Sequence, residues 1–324
     1  MPAPPTSARR GYLLAAAAAA LFAGNGATAR VLLDDGMPAD RLAWLRSATA
    51  FVALLVALAW RRPRLLRVRP EHVPRLAFLG VAGLAVVQAS YFVAIERLGV
   101  GVALTIQYLG PLLILLWLHL AWRRSLPRGM WAAAALSVSG CFLVVGGWDP
   151  GAIDGLGLAA ALVSAVTFAL YAFGSERAGR SYPAVTTLVW AFGFSLAFWS
   201  LLAPPWSFPW GELASPGHLA AAAYVCVLGT LVPFVMIVSA VRHVPAARVA
   251  VIATLEPVLG AIVAWPALGE ALSAVQVLGG LVVVGAVVFV QAQRAAGAEE
   301  IAPPWPERAR APATGAVTVP EPAE

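Results

Sequence analysis

GHLAAAAYVCVLGTLVPFVMIVSAV, residues 217–241, runs for 25 positions without Asp, Glu, Lys or Arg. A helix needs about twenty apolar residues to cross a hydrocarbon layer of ~30 Å, so this stretch predicts a membrane-spanning helix. Similar blocks occur along most of the chain. Together they predict ten spans, at residues 11–33, 39–60, 74–96, 99–121, 129–147, 156–177, 184–203, 217–241, 246–266 and 271–292.

The composition also predicts an all-α membrane protein. Apolar residues make up 60% of the chain and charged residues 12%, whereas about a quarter of the residues in a soluble domain are charged. The net charge is +6, and all 22 basic residues are Arg. Because they sit in short segments between apolar blocks, they are typical of topology signals and argue against a nucleic-acid partner.

The arginines alternate from one side of the predicted membrane to the other. Eighteen of the 22 lie in the N-terminal tail, in every second loop and in the C-terminal tail. The loops at residues 146–155 and 204–217 contain none. By the positive-inside rule both termini are expected in the cytoplasm. The Ala-, Gly- and Arg-rich composition suggests a bacterial protein, which places it in the cytoplasmic (inner) membrane.

An internal repeat divides the chain into two halves. A shift of 146 residues superimposes them without gaps over roughly a hundred positions, bringing together Phe22 and Phe168, Trp44 and Trp190, Gly83 and Gly229, Ile106 and Ile252, Pro111 and Pro257, and Leu126 and Leu272. Each half holds five spans, an odd number, so the halves must cross the membrane in opposite senses. Inverted repeats are typical of secondary carriers, whose solute site lies near the midplane between the repeats.

This symmetry predicts the domain boundaries. Residues 1–10 form a cytoplasmic tail, 11–147 the first five-helix repeat, 148–155 an external linker and 156–292 the second repeat. Residues 293–324 are Pro- and Ala-rich without apolar periodicity and are expected to be a disordered cytoplasmic tail.

The second half resembles the EamA-type transporters of the drug/metabolite transporter superfamily. The resemblance rests on Leu255-Glu256-Pro257 and Leu268-Gly269-Glu270, followed by Gln276, Gly279-Gly280 and Gly285, and it extends over residues 11–292. The first half departs from the pattern, because Gly110 stands before Pro111 where the pattern has Glu. The resemblance implies a ten-helix carrier of small metabolites, often an exporter, and Thr105–Pro111 is similar to the amino-acid exporters of the superfamily.

Glu256 is the deepest acidic residue in the predicted spans. A charged side chain at midplane costs about 2.5–3.5 kcal/mol on insertion scales. The neighbouring Pro257 lacks an N–H, so the carbonyl of Ala253 loses its helical partner, and the Thr254 hydroxyl could compensate. Two interpretations stay open: Glu256 binds a cationic group or a proton, or it fixes helix packing.

Other polar residues inside the spans are candidates for the substrate pathway. Arg46 is interpreted as a snorkelling or ion-paired structural residue, with contact to an anionic solute as the alternative. Asn25, between two glycines, could line a cavity or mark close helix packing. The predicted pathway comprises Asn25, Gln88, Tyr91, Gln107, Tyr108, Tyr171, Thr254 and Glu256, with helix breaks at Gly110, Pro111 and Pro257.

The favoured function is a secondary transporter that exports amino acids or related metabolites by alternating access. The alternatives are an importer, a carrier of other metabolites, or a membrane sensor or scaffold that does not transport. An enzyme is not expected, since the four His residues and the isolated Cys141 and Cys226 have no metal-ligand spacing. The expected partners are the bilayer, a small solute and, as a candidate coupling ion, the proton; no cofactor or metal is expected.

Overall fold

The computed structural model describes residues 5–110, 113, 119–120, 128–144, 154–179, 181–240, 242–244, 249, 252–253, 255–269 and 272–295. All regular structure in these residues is helical. The helices are α1 (Pro5–Asp34), α2 (Ala39–Arg61), α3 (Val73–Phe78, Leu79–Ala85 and Val86–Leu98), α4 (Val100–Gln107), α5 (Arg128–Val144), α6 (Gly155–Gly179), α7 (Ala184–Leu202), α8 (Pro216–Ala223, Tyr224–Leu231 and Val232–Ala240), α9 (Leu255–Leu268) and α10 (Ala274–Ala295).

These ten helices follow the ten predicted spans in order. Six are long and apolar enough to cross a membrane: Ala8–Asp34, Ala39–Arg61, Pro70–Leu98, Gly155–Gly179, Ala184–Leu202 and Pro216–Ala240. Trp131–Val144, Leu255–Leu268 and Ala274–Phe289 are shorter apolar helices. Eight of the 23 residues of the fourth predicted span, 99–121, lie outside the described residues, and so do residues 1–4, 148–153 and 296–324 of the predicted tails and linker.

Three glycines with positive φ separate consecutive helices. Gly36 (φ 102°) follows α1, Gly99 (φ 81°) joins α3 to α4, and Gly269 (φ 69°) follows α9. Glycine adopts this left-handed conformation without the steric penalty that a Cβ would bring, and it therefore commonly ends helices.

Helices of the first half pack antiparallel against helices of the second half. In the α2–α7 pair, Ser47 and Ser195 hydroxyls lie 2.8 Å apart, and the Trp44 indole donates to the Ser200 hydroxyl at 2.9 Å. The α1–α8, α3–α6, α4–α9 and α5–α10 pairs also pack closely, and α1 contacts α9 as well. The core is therefore built between the two halves.

Helices α3 and α8 each contain a π-helical segment in the middle. Leu79–Ala85 lies in α3 and Tyr224–Leu231 in α8, about 146 positions later. Each contains a glycine at a close helix contact: Gly83 faces Tyr171 of α6, and Gly229 faces Asn25 of α1. π-Segments inside α-helices are rare and are frequent at functional sites.

The connecting segments cluster at two ends of the helix bundle. At one end, the Tyr182 hydroxyl contacts His72 Nδ1 at 2.7 Å, and Gly11 packs against His243. At the other end, His218 Nε2 lies 2.8 Å from an Asp35 carboxyl oxygen.

Asp154 and Arg97 also lie at this second end, where they form an ion pair of 3.1 Å. Asp154 accepts a hydrogen bond from the Gly157 N–H at 2.6 Å, capping α6. This hydrogen bond, followed by the Arg97 guanidinium, lowers the pKa of Asp154.

Candidate functional site

A hydrogen bond between α4 and α9 joins Tyr108 to Glu256. The Tyr108 hydroxyl lies 2.8 Å from Glu256 Oε2 and 2.7 Å from the backbone oxygen of Ala253. Ala253 is the residue whose carbonyl loses its helical donor to Pro257. A tyrosine from the other half of the chain therefore supplies the missing donor. Thr254 and Pro111 lie outside the described residues, so the predicted role of the Thr254 hydroxyl stays a prediction.

Tyr108 has a single hydroxyl proton for these two acceptors. When Glu256 is ionised, the proton can go to the carboxylate, which leaves the Ala253 carbonyl without a donor. When Glu256 is protonated, its carboxyl can donate to the phenol oxygen while Tyr108 donates to Ala253. The hydrogen bonding of the α9 backbone is thus coupled to the charge state of Glu256.

Arg46 of α2 is buried, with 6% of its surface exposed, and so does not snorkel to an interface. Its Nε donates to the Thr230 hydroxyl at 2.7 Å, and that hydroxyl in turn donates to the Val225 oxygen in the π-segment of α8. Its guanidinium lies 5.2 Å from the centre of the Phe92 ring. Within the described part of the chain Arg46 has no acidic partner within ion-pair distance, although it interacts electrostatically with Glu256 and Tyr91.

Gln88 and Tyr91 lie on one buried face of α3, as the three-residue spacing predicts. Neither the oxygen nor the nitrogen of the Gln88 amide has a hydrogen-bond partner among the described residues. An unsatisfied buried polar group costs about 1–3 kcal/mol, so such an amide points to water or a solute as its partner. Tyr91 interacts electrostatically with both Arg46 and Tyr108.

Asn25 lies where α1 crosses α8. It is buried against Gly229, and its Oδ1 has no hydrogen-bond partner among the described residues. Gly24 packs against the Tyr224 ring, and a Cβ on Gly26 would lie 2.7 Å from the Tyr91 hydroxyl. Gly24 and Asn25 therefore contact α8, and Gly26 contacts α3 and α4, so the pattern lies at close helix contacts, while the unpaired Asn25 Oδ1 is also compatible with the cavity-lining interpretation.

Gln107 of α4 and Tyr171 of α6 lie at contacts between α6 and other helices. Gln107 Nε2 donates to the Ser164 hydroxyl at 2.7 Å. Tyr171 packs against Gly83, with its ring centre 6.4 Å from that of Phe234 in an edge-on arrangement. Gln107 thus has a protein partner.

Gly110 is the position opposite Glu256 in the repeat. A Cβ there would lie 3.0 Å from Phe168 Cδ1 and 3.1 Å from the Ala165 carbonyl oxygen. These distances are tighter than ordinary contacts, so a side chain at this position requires Phe168 or the α6 backbone to shift by a few tenths of an ångström. Gly110 thus lies in close contact with α6, where Glu256, its counterpart in the repeat, contacts Tyr108.

The structure also places residues in this region that sequence reasoning missed. Thr230 and Ser164 are buried hydroxyls bonded to Arg46 and Gln107, and Phe92 lies beneath the guanidinium. Small hydroxyl residues inside apolar spans are too common to single out. Only the position of Thr230 next to Gly229, the counterpart of Gly83 in the repeat, could have drawn attention to it.

Four ionisable side chains from four helices form what we call the central cluster: Arg46, Tyr91, Tyr108 and Glu256. It combines one cation, one carboxyl group and two phenols, next to the unpartnered Gln88 amide. Such a set can bind both charges of a small polar solute. Among the described residues no three His, Cys, Asp or Glu side chains are grouped as a metal site.

Comparison with known proteins gives one family. The model of the EamA-like transporter family matches the chain twice, at residues 9–146 and 155–291. A solved crystal structure matches with a TM-score of 0.58 at 20% identity, covering 88% of this chain and 98% of the other. At that identity the likeness concerns the fold alone.

Three relatives are described as transporters. The chain is 25% identical to the "uncharacterized inner membrane transporter YicL" of Salmonella typhimurium (strain LT2), with 88% of this chain and 96% of the relative covered. It is 26% identical to the threonine/homoserine exporter RhtA of Escherichia coli (strain K12), over 69% and 73% of the two chains. It is 26% identical to the "uncharacterized transporter YwfM" of Bacillus subtilis (strain 168), over 87% and 95%.

Proposed function

The chain belongs to the EamA-like transporter family, and on that premise we propose that it is a secondary carrier that exports amino acids or closely related metabolites by alternating access. The observation that carries this proposal is the central cluster, with Tyr108 bonded to Glu256 between the two halves of the chain. A buried site that offers a cation, a carboxyl group and an amide suits a small solute with several polar groups. The exporter RhtA is named for threonine and homoserine, which are solutes of this kind.

In the proposed carrier, residues 11–147 and 156–292 form two repeats of opposite orientation. Two contact pairs support this arrangement. Gly229 meets Asn25, and 146 positions away Gly83 meets Tyr171, the counterpart of Asn25.

The second pair lies at the helix ends. Gly11 meets His243, and the counterparts of these two residues, Gly157 and Arg97, also meet. A two-fold relation between opposed repeats accounts for both pairs.

The proposed orientation has both termini in the cytoplasm of a bacterial cell and the chain in the inner membrane. It rests on the arginine-rich segment at residues 61–75, which packs against the loop around Tyr182. The Arg-free segment 204–217 lies at the opposite end of the bundle. His218, which follows this segment, contacts Asp35 there. The positive-inside rule assigns the first end to the cytoplasm.

A flux assay tests the carrier proposal. The full chain, reconstituted in liposomes loaded with labelled L-threonine, is expected to release it faster than protein-free liposomes do. Glu256→Gln and Gln107→Ala are each expected to lower the rate without loss of folded protein, and Glu96→Gln, at an exposed position of α3, serves as the matched control. Release at the protein-free rate for all twenty amino acids would reject amino-acid transport.

A further inference from the structure

We propose that Arg46 and Glu256 together bind the two charges of a zwitterionic α-amino acid, with the carboxylate on Arg46 and the ammonium group on Glu256. The inference rests on the proposed function and specifies the site and the chemical class of its solute. It assigns a solute-binding role to Arg46, whose sequence position suggested a structural one.

The guanidinium of Arg46 is held in place by its neighbours, but not all of its N–H groups have hydrogen-bond partners among the described residues. Of its five N–H donors, Nε is occupied by Thr230, and the Thr230 hydroxyl is itself held by the Val225 oxygen. The Phe92 ring supports the guanidinium from one side. In the described part of the chain the remaining donors have no acceptor, which leaves the fork geometry that binds a carboxylate through two parallel hydrogen bonds.

The carboxyl group of Glu256 also has a hydrogen-bond partner on only one of its two oxygens among the described residues. Tyr108 contacts Oε2, while Oε1 has no hydrogen-bond partner among the described residues. Opposite charges in a membrane interior attract strongly, yet Glu256 and Arg46 interact without reaching ion-pair distance. The ammonium and carboxylate groups of an α-amino acid are bonded to the same carbon, so one such molecule presents an opposite charge to each member of a pair that does not form a direct ion pair.

Gln88 supplies an independent observation. Its amide is buried, with 5% of the residue exposed, and neither of its polar atoms is paired within the described residues. It lies one helical turn from Tyr91, which interacts with both Arg46 and Tyr108. A solute bound between Arg46 and Glu256 would have this amide available for a polar side chain or a bridging water.

The test compares three probes that differ in one charge. They are L-threonine, L-threoninol, which lacks the carboxylate, and 2,3-dihydroxybutanoate, in which a hydroxyl replaces the ammonium group. Binding to the purified full chain in detergent is measured by the rise in unfolding temperature with probe concentration. The wild type is expected to bind L-threonine about tenfold or more tightly than either analogue, since each analogue leaves one buried charge without its partner.

The variants separate a binding role from a structural one. Arg46→Gln is expected to bring L-threonine down to the affinity of L-threoninol while leaving L-threoninol unchanged, and Arg46→Lys to give an intermediate value. Glu256→Gln is expected to remove the preference for L-threonine over 2,3-dihydroxybutanoate. Equal weakening of all three probes by Arg46→Gln would show a structural role and overturn the proposal.

Two further outcomes keep this proposal distinct from the carrier proposal. Flux in liposomes without discrimination among the probes would reject the charge-binding site and leave the carrier standing. Discrimination in binding without flux would reject the carrier and leave the site. No stabilisation by L-threonine would overturn the site, because the two charges that it binds are common to all α-amino acids. If Arg46→Gln does not fold, Arg46→Lys and the wild-type probe series still decide the question.

Discussion

At the scale of single residues, the Tyr108 hydroxyl connects a side-chain charge to a backbone break. It lies within hydrogen-bond distance of Glu256 and of the carbonyl that Pro257 leaves without a donor. A hydrogen bond to a charged group contributes about 1.5–3 kcal/mol, twice as much as most neutral ones. The loss of this one oxygen should therefore affect both the site and α9.

We predict that Tyr108→Phe lowers transport about tenfold, the equivalent of ~1.4 kcal/mol, while the amount of folded protein stays close to that of the wild type. The phenyl ring keeps its packing against Phe168, so only the hydroxyl contacts are lost. The measurement is L-threonine flux per reconstituted molecule. Ser239→Ala is the control, because its hydroxyl bonds to Val235 within its own helix. An unchanged rate for Tyr108→Phe would contradict a role for this hydroxyl in transport.

At the scale of the element, α9 contains two prolines in different surroundings. Pro257 is buried next to the central cluster, and Pro266 is exposed on the outer surface. Pro266 lies inside the helix, where its missing N–H removes a helical hydrogen bond, whereas Pro257 lies in the first turn, and the Ala253 carbonyl four residues before it accepts a hydrogen bond from Tyr108. The break at Pro257 is therefore the one that can respond to the site.

We predict that Pro257→Ala raises the unfolding temperature by about 2–4 °C and lowers transport, whereas Pro266→Ala raises the unfolding temperature without changing transport. The restored N–H at position 257 can donate to the Ala253 carbonyl in place of the Tyr108 hydroxyl. Unfolding is followed in detergent and flux in liposomes. Equal transport by the two variants would mean that the break at Pro257 has no part in the cycle.

The α5–α10 contact depends on small residues. A Cβ on Gly279 would lie 2.7 Å from the Gly140 oxygen and 2.7 Å from Leu143 Cβ, whereas a Cβ on Gly285 of the same helix has no heavy atom within 4 Å. Close backbone approach of this kind is a common way for helices to associate in membranes.

We therefore predict that Gly279→Ala destabilises the protein by about 1–3 kcal/mol, since the backbone carbonyl of α5 must move. Gly285→Ala is expected to be neutral or stabilising by up to about 1 kcal/mol, because alanine favours a helix over glycine. Thermal unfolding of both variants in detergent measures the difference. The same unfolding temperature for both would show that α5 and α10 do not pack in this way.

At the scale of the whole molecule, helices of one half are paired with helices of the other. The α1–α8 and α3–α6 contacts are related by the 146-residue shift, as are the two π-segments. The central cluster also draws on both halves, with Glu256 from the second and the other three residues from the first. A relative movement of the halves would therefore change the site directly.

The proposed orientation, with both termini in the cytoplasm, predicts which loops face outwards. In a background with Cys141→Ala and Cys226→Ala, Ser207→Cys should react with an impermeant maleimide in intact cells, and Arg64→Cys should react only after permeabilisation. Both positions are exposed, so accessibility to the reagent depends on the side of the membrane. Labelling of both, or of Arg64→Cys alone, would contradict the proposed topology.

The sequence by itself determined the helices and their order. Apolar run length placed the starts of α2 and α7 at the observed residues, because a hydrocarbon layer requires a set number of helical residues. The Glu-Pro and Leu-Gly-Glu pattern pointed to the EamA-type transporters, and the family model matches both halves. Helical spacing also placed Gln88 and Tyr91 together, since residues three apart share a face.

Only the tertiary structure decided which helices meet and which polar groups find partners. The Tyr108 hydroxyl donates to the Ala253 carbonyl, Thr230 accepts a hydrogen bond from the buried Arg46, and Gly110 lies in close contact with α6. Periodicity gives the depth and the face of a residue within its own helix. A hydrogen bond or a steric clash depends on the side chain that a different helix brings within about 3 Å, and that distance is set by the packing of the whole bundle.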